Sequence, residues 1–291
     1  MRVPAAGWLN RGVTYSIVAR DAETGELGVG VQSQAFNTGA AVPWARPGVG
    51  AIATQSFTDR RYGFRGLELL AAGRSPREAL DELLAPDTDR AFRQVALLDA
   101  SGASAQWTGE HCVPACGHVA GDGWAAQGNM LASDQWHAMG TAFESATGPL
   151  ALRLLAALEA AQAEGGDWRG TGGAAIVVVP AQGEPWERVV DIRVEDQSLP
   201  ELRRLVERSL AYRAANHAEP GAAVAEEHGL PAGYVRFLAL LDAAKAGHVE
   251  AGRHALAELE AEHPRWRDFA RSYARHPEGG GMADILGEDD A

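Results

Sequence analysis

A chain of 291 residues with 46% hydrophobic side chains and 34 glycines has room for one large core, or for a domain with an appendage, and its composition is globular. Its net charge of −13 argues against nucleic acid or an anionic membrane surface as partner. Lys245 is the only lysine, so nothing before it can supply a P-loop, a Schiff base or a Ser-Lys dyad.

Two cysteines, Cys112 and Cys116, do not make a disulfide framework for a chain of this length. No apolar run approaches a membrane span, and residues 1–13 lack the continuous apolar stretch of a secretory signal, so a cytoplasmic protein is the expectation. Those thirteen residues carry Pro4, Gly7 and Gly12 and no periodicity, and they read as foreign to the strand pattern that starts at Thr14.

Thr14 to Ser33, TYSIVARDAETGELGVGVQS, reads as two alternating strands joined by a turn in which Gly25 supplies a positive φ. Its first residue is a candidate N-terminal nucleophile. Freed of the residues before it, the α-amine of Thr14 can take the proton from its own hydroxyl. The alternative is a β-branched strand residue and nothing more. Residues 35–51 are dense in glycine and proline and read as a loop. A strand through Ala51–Phe57 leads into a helix stopped by Gly73, and Ser75-Pro76-Arg77-Glu78 opens a second helix with an N-cap.

Arg93–Asp99 and Ser104–Thr108 form a second hairpin about Ser101-Gly102, and two short strands come next between Gly117 and Leu131. Helices are expected over 134–145 and 149–164, then buried strands at Ala174–Val179 and Val189–Val194. Helices and strands therefore come in blocks. That favours an α+β fold with mostly antiparallel sheets, two of them stacked face to face and covered by helix pairs. From Asp196 the pattern becomes charged helices, expected to form a small helical module, and residues 277–291 read as a disordered tail.

Three blocks, TYSIVARDAETGELGVGVQSQAF, VPWARPGVGAIATQSF and GHVAGDGWAAQGNML, with VDIRVEDQSLPELRRL after them, resemble the domain of unknown function 1028 family over residues 14–205. That family is grouped with the N-terminal nucleophile (Ntn) hydrolases, so the resemblance implies a four-layer αββα sandwich. In the family the threonine usually follows the initiator methionine directly, whereas here Val13 and twelve more residues precede it. Residues 1–13 are then either a non-native extension, with Val13 as the true start, or a propeptide cleaved at Val13–Thr14. The first reading is preferred.

The resemblance to the wider superfamily implies further roles. Asp167 and Thr171, ahead of Gly172-Gly173-Ala174, match a proteasome arrangement that orients the nucleophile's amine. Gln127-Gly128-Asn129 would offer a side-chain or backbone donor to an oxyanion, and at Gln55-Ser56, a strand end before a helix, backbone N–H groups are free for an oxyanion hole. Ser33 would lie beside Thr14 if the first hairpin closes in register. The lysine of proteasome subunits has no counterpart, and Arg46 or Arg60 would replace only its charge.

His111, Cys112, Cys116 and His118 are rich in ligand types, but one short loop containing Pro114 is a poor tetrahedral cage. A loop with a buried Cys112 is the preferred reading, and no metal or cofactor is expected. In relatives the region matching 206–276 is named as a peptidoglycan-binding module, so a cell-wall fragment is one partner to consider, and a packing or homo-oligomer role is another. The expected activity is hydrolysis of a small amide or peptide at Thr14. The alternative is a non-catalytic Ntn-fold protein that binds a ligand or cell-wall fragment.

Overall fold

The computed structural model describes residues 14–196 and 198–287. The extension expected at 1–13 lies outside them. The first hairpin is β1 (Thr14–Arg20) and β2 (Leu27–Ser33), in a register that sets Thr14 opposite Ser33. Its turn is fastened by Asp21, whose Oδ1 accepts the N–H groups of Glu23 (3.0 Å) and Thr24 (2.8 Å).

The loop expected at 35–51 contains two elements, a one-turn helix α1 (Thr38–Ala41) and a strand β3 (Pro43–Arg46). Pro43 obscures that strand in the sequence. It is tolerated because β3 is an edge strand, bonded only to β4 (Gly50–Ser56). Helices α2 (Arg61–Ala71) and α3 (Pro76–Leu84) come next, the latter opened by a capping box between Ser75 and Glu78. β5 (Arg93–Asp99), β6 (Ser104–Thr108), β7 (Gly117–Gly121) and β8 (Trp124–Asn129) continue the chain. The unit is completed by α4 (Trp136–Ser145), α5 (Leu150–Ala163), β9 (Gly173–Val179) and β10 (Val190–Val194).

These strands form two antiparallel sheets, one of six in the order β10-β9-β2-β1-β8-β7 and one of four in the order β3-β4-β5-β6. Alternation along each strand decides what faces what. Val18, Val29, Val31, Ala125 and Val177 of the first sheet pack with Ala51, Ala53, Ala96 and Leu98 of the second in one apolar core. On the other face of the four-stranded sheet, Ile52, Val95 and Leu97 meet Tyr62 and Leu70 of α2 and Ala79, Leu80 and Leu84 of α3.

The six-stranded sheet carries α4 and α5 on its other face. There Gly28 of β2 is required for close approach, since a Cβ on it would stand 2.7 Å from Leu154 Cδ1 of α5. Each buried Val, Ile or Leu in these cores is worth about 1.5–3 kcal/mol relative to exposure. The fold thus rests on mixed α and β elements with wholly antiparallel sheets.

The chain divides into two compact units between Val206 and Glu207. That point falls inside α6 (Ser198–His217), whose Leu199, Leu202 and Val206 are buried. The second unit contains α7 (Gly221–Glu227), α8 (Ala232–Ala246), α9 (Val249–Glu262), α10 (Trp266–Ala274) and α11 (Met282–Leu286). Its core joins Leu240, Leu256, Leu259, Ala270, Met282 and Ile285. The disordered tail expected from residue 277 is therefore corrected up to Gly287. Met282 and Ile285 are buried apolar side chains, and packing them orders the segment. No helix of the described residues is long and apolar enough to cross a membrane.

Because the first unit closes its own cores, a chain ending at Val206 is expected to unfold in one cooperative urea transition. Insoluble material, or loss of near-ultraviolet dichroism with retained secondary structure, would contradict this.

Candidate active site

Inward-facing positions change character along the strands. Moving toward one end of the sheets, Val18 gives way to Ser16 and Thr14, Ala53 to Gln55, Ala96 to Gln94, and Ala125 to Gln127 and Asn129. Each of these polar residues is buried. Burying so many amides and hydroxyls is tolerable only when they satisfy one another.

Most of their hydrogen-bonding groups are paired. Gln94 sits at the centre. Its Oε1 accepts from Gln55 Nε2 (2.8 Å) and Asn129 Nδ2 (2.9 Å). Its Nε2 donates to the carbonyls of Gly128 (2.8 Å) and Gly117 (3.0 Å) and approaches Thr108 Oγ1 at 3.0 Å. Ser16 Oγ donates to Gln55 Oε1 (2.7 Å) and accepts from Gln127 Nε2 (3.2 Å).

Thr14 stands at the edge of this layer. β1 is the strand between β2 and β8, so Thr14 lies opposite Ser33 on one side and Asn129 on the other. Its hydroxyl donates to Ser33 Oγ at 3.1 Å, and Ser33 Oγ also accepts the Ala35 N–H at 3.1 Å. Its carbonyl accepts from Gln55 Nε2 at 3.1 Å and, at the long limit of 3.5 Å, from Asn129 Nδ2. The NH2 groups of Gln55 and Asn129 therefore hold the Thr14 backbone and Gln94. Those contacts occupy the Asn129 side chain, one of the oxyanion donors expected from the sequence.

Asp167 is one step further out. Its Oδ2 accepts the N–H of Gln34 (2.9 Å), the residue after Ser33, and it is paired with Arg169 at 2.9 Å. The negative charge of Asp167 is felt by Tyr15, whose phenol is pushed upward first by burial and then by that carboxylate. Thr171 is exposed, ahead of the strand that starts at Gly173 opposite Ser33. Thr14, Ser33, Gln55 and Asn129 are thus brought together, Asp167 reaches them through the backbone, and Thr171 lies at the surface. Arg60 is held away by the Ala40 carbonyl (2.5 Å) and by the ring of Trp44.

The loop from His111 to His118 borders the same end but disperses its ligand atoms. Cys112 Sγ donates to the Arg93 carbonyl (3.3 Å), His118 Nδ1 bonds Thr108 Oγ1 (2.9 Å), and the His111 ring lies against Phe92. Among the described residues no group of three His, Cys, Asp or Glu side chains gathers as a metal cage. Burial pushes both thiols up and the His118 imidazole down, so all three favour their neutral forms.

Gln94 and Ser16 did not stand out in the sequence, and Gln127 did so only as a neighbour of Asn129. The signal that finds them is the inward register itself, where glutamine or serine replaces alanine or valine two residues along four separate strands.

Gln94→Ala removes partners from Gln55, Asn129 and two buried carbonyls, at about 1–3 kcal/mol for each group left unpaired. The urea midpoint should fall accordingly, and a change within about 0.5 kcal/mol, typical of surface sites, would contradict the network.

Arg93, next to Gln94, makes a second measurement possible. Its Nε donates to Asp87 Oδ2 at 2.8 Å and its Nη1 to the Phe57 carbonyl at 2.6 Å. Burial opposes ionisation of Asp87, but hydrogen bonds from Arg93, Tyr62 and the Asp89 N–H, with the Arg93 charge, outweigh it and hold the carboxyl at about 2. A depressed folded pKa gives stability that is present above the unfolded value of about 3.9 and is lost as pH falls toward 2. Asp87→Asn should lower stability at pH 7 and flatten the acid limb between pH 4 and pH 2. An unchanged limb would contradict the pairing.

The matching family model, described as a family of unknown function (DUF1028), covers residues 14–202 and so begins at Thr14. Among solved structures, protein SPO2555 from Silicibacter pomeroyi, itself a DUF1028 protein, is 30% identical with a TM-score of 0.62. That likeness covers 68% of this chain and 86% of the Silicibacter one. Anbu, the ancestral β-subunit from Yersinia bercovieri, matches at 11% identity and a TM-score of 0.35, over 70% of this chain and 98% of its own. No curated protein matches the chain significantly. With the family model spanning well over half of its length, the chain belongs to the DUF1028 family of unknown function.

Proposed function

We propose that residues 14–205 form a four-layer αββα sandwich of the Ntn type, and that the unit hydrolyses a small amide or peptide through Thr14. One observation carries the reading. At the end of a central strand, at the polar end of the layer between the sheets, the Thr14 hydroxyl donates to Ser33 Oγ at 3.1 Å while its carbonyl is anchored by Gln55. A nucleophile needs a fixed backbone and an oriented hydroxyl, and both are supplied.

The chemistry requires the chain to begin at Thr14, because an amide nitrogen following Val13 has no basicity. With a free amine, the Thr14 hydroxyl adds to the substrate carbonyl carbon as its proton passes to that amine. The tetrahedral adduct collapses, the amine protonates the departing nitrogen, and an ester to Thr14 remains. Water, deprotonated by the same amine, cleaves the ester and restores the hydroxyl. Ser33 positions the hydroxyl by accepting its hydrogen bond before attack. Asp167 positions Ser33 by fixing the next residue, Gln34.

One observation favours the non-catalytic alternative, a sandwich that only binds a ligand or cell-wall fragment. The amides of Gln55 and Asn129 face inward to Thr14 O and Gln94, so an oxyanion would need backbone donors or a shift of Asn129.

The test uses protein whose first residue is Thr14 and a threonine-directed electrophile such as a peptide β-lactone, followed by an amide library. Labelling is expected at Thr14, lost in Thr14→Ala and partly kept in Thr14→Ser. Ser33→Ala should slow it, and the rate should rise through about pH 7–8 as the amine deprotonates. Equal labelling of Thr14→Ala would place the chemistry elsewhere.

A further inference from the structure

Five large hydrophobic side chains stand out as exposed among the described residues: Phe36, Phe64, Val113, Trp168 and Trp186. Phe36, Val113 and Trp168 belong to loops at the Thr14 end of the sheets. Phe36 follows β2, Val113 lies between β6 and β7, and Trp168 precedes β9. Single exposed apolar residues need no explanation. Phe36 and Trp168 differ because rigid turns on the two sides of one hydrogen bond present them.

Phe36 is three residues from Ser33, whose hydroxyl meets that of Thr14, so its Cα lies within roughly 11 Å of the Ser33 Cα. Its loop is pinned on both sides of it. Ala35 N–H donates to Ser33 Oγ (3.1 Å), Thr38 Oγ1 to the Ala35 carbonyl (2.7 Å), and Asn37 N–H to Glu195 Oε1 (2.9 Å). Trp168 adjoins Asp167, whose carboxylate takes Gln34 N–H at 2.9 Å and also the Arg169 backbone N–H at 2.9 Å. The Gly170 N–H closes that turn on the Asp167 carbonyl (2.9 Å).

The backbone is therefore ordered in advance while Phe36 and Trp168 stay 78% and 65% exposed. Preordering of this kind lowers the cost of binding, and each aromatic ring offers about 150–250 Å² of area to bury. The neighbouring Asp167–Arg169 pair is balanced in charge, so it gives little reason to select a charged ligand.

We infer that Phe36 and Trp168 form a specificity lip that grips an uncharged apolar group next to the amide bond presented to Thr14. The inference rests on the proposed amidohydrolase reading and adds its substrate class: amides carrying an aromatic or large aliphatic side chain.

The test measures binding without chemistry, by saturation-transfer NMR on the full chain carrying Thr14→Ala. The probes are N-acetylphenylalaninamide and N-acetylglycinamide. The phenylalanine probe should bind at least about tenfold tighter, the discrimination a hydrophobic site provides. Phe36→Ala and Trp168→Ala should each cut that ratio severalfold, while Phe36→Leu and Trp168→Phe keep most of it. Equal binding of the two probes, no binding of either, or a ratio unmoved by both alanine variants would overturn the lip. So would sedimentation showing that the alanine variants only break up a dimer. Selective binding to the lip in a protein that never acylates Thr14 would instead defeat the hydrolase reading alone.

Discussion

The carbonyl of Thr14 is held by an amide from the opposite sheet, and much of the first unit depends on that contact. Gln55 reaches across to Thr14 O and, with the same nitrogen, to Gln94, which in turn gathers Asn129 and the ends of β7 and β8. The two sheets are thus joined by apolar packing along most of their length and by amides at one end. The apolar part supplies most of the stability. The amide part fixes register, because a one-residue slip of any contributing strand would turn its glutamine or serine outward and leave several buried partners unsatisfied.

That division explains how the proposed nucleophile can be held at the end of β1. A strand end normally frays, and its terminal residue is a poor place to hold a hydroxyl within hydrogen-bond distance of a partner. Here Thr14 has strands on both sides and an amide beneath its carbonyl, so the backbone is held while the hydroxyl remains on the Ser33 side. Asp167 extends the same order outward. By taking the Gln34 N–H it fixes the turn that carries Ser33 on one side and Phe36 on the other.

Much of the first unit was legible in the sequence because its signals are local. The Thr14–Ser33 hairpin, the Ser75 cap and the leucine spacing of α5 depend on neighbours in the chain. β3 was hidden by Pro43 and the surrounding glycines, since an edge strand may lack the ladder donor that a central strand needs. α11 was hidden by its acidic, glycine-flanked sequence, and only the long-range burial of Met282 and Ile285 orders it. The placement of Ser33 followed from hairpin register alone. The direction of the Gln55 and Asn129 amides did not, because it depends on Gln94, which is 39 residues from one and 35 from the other.

The catalysis proposed at Thr14 depends on the state of its nitrogen, and the most direct measurement is the N-terminus of the protein isolated from its native cells. Intact mass and N-terminal sequencing should give a chain that starts with Thr14 and carries a free α-amine. A protein in which Thr14 remains joined to Val13 would have no base at the proposed nucleophile and would contradict the catalytic reading, leaving the non-catalytic alternative.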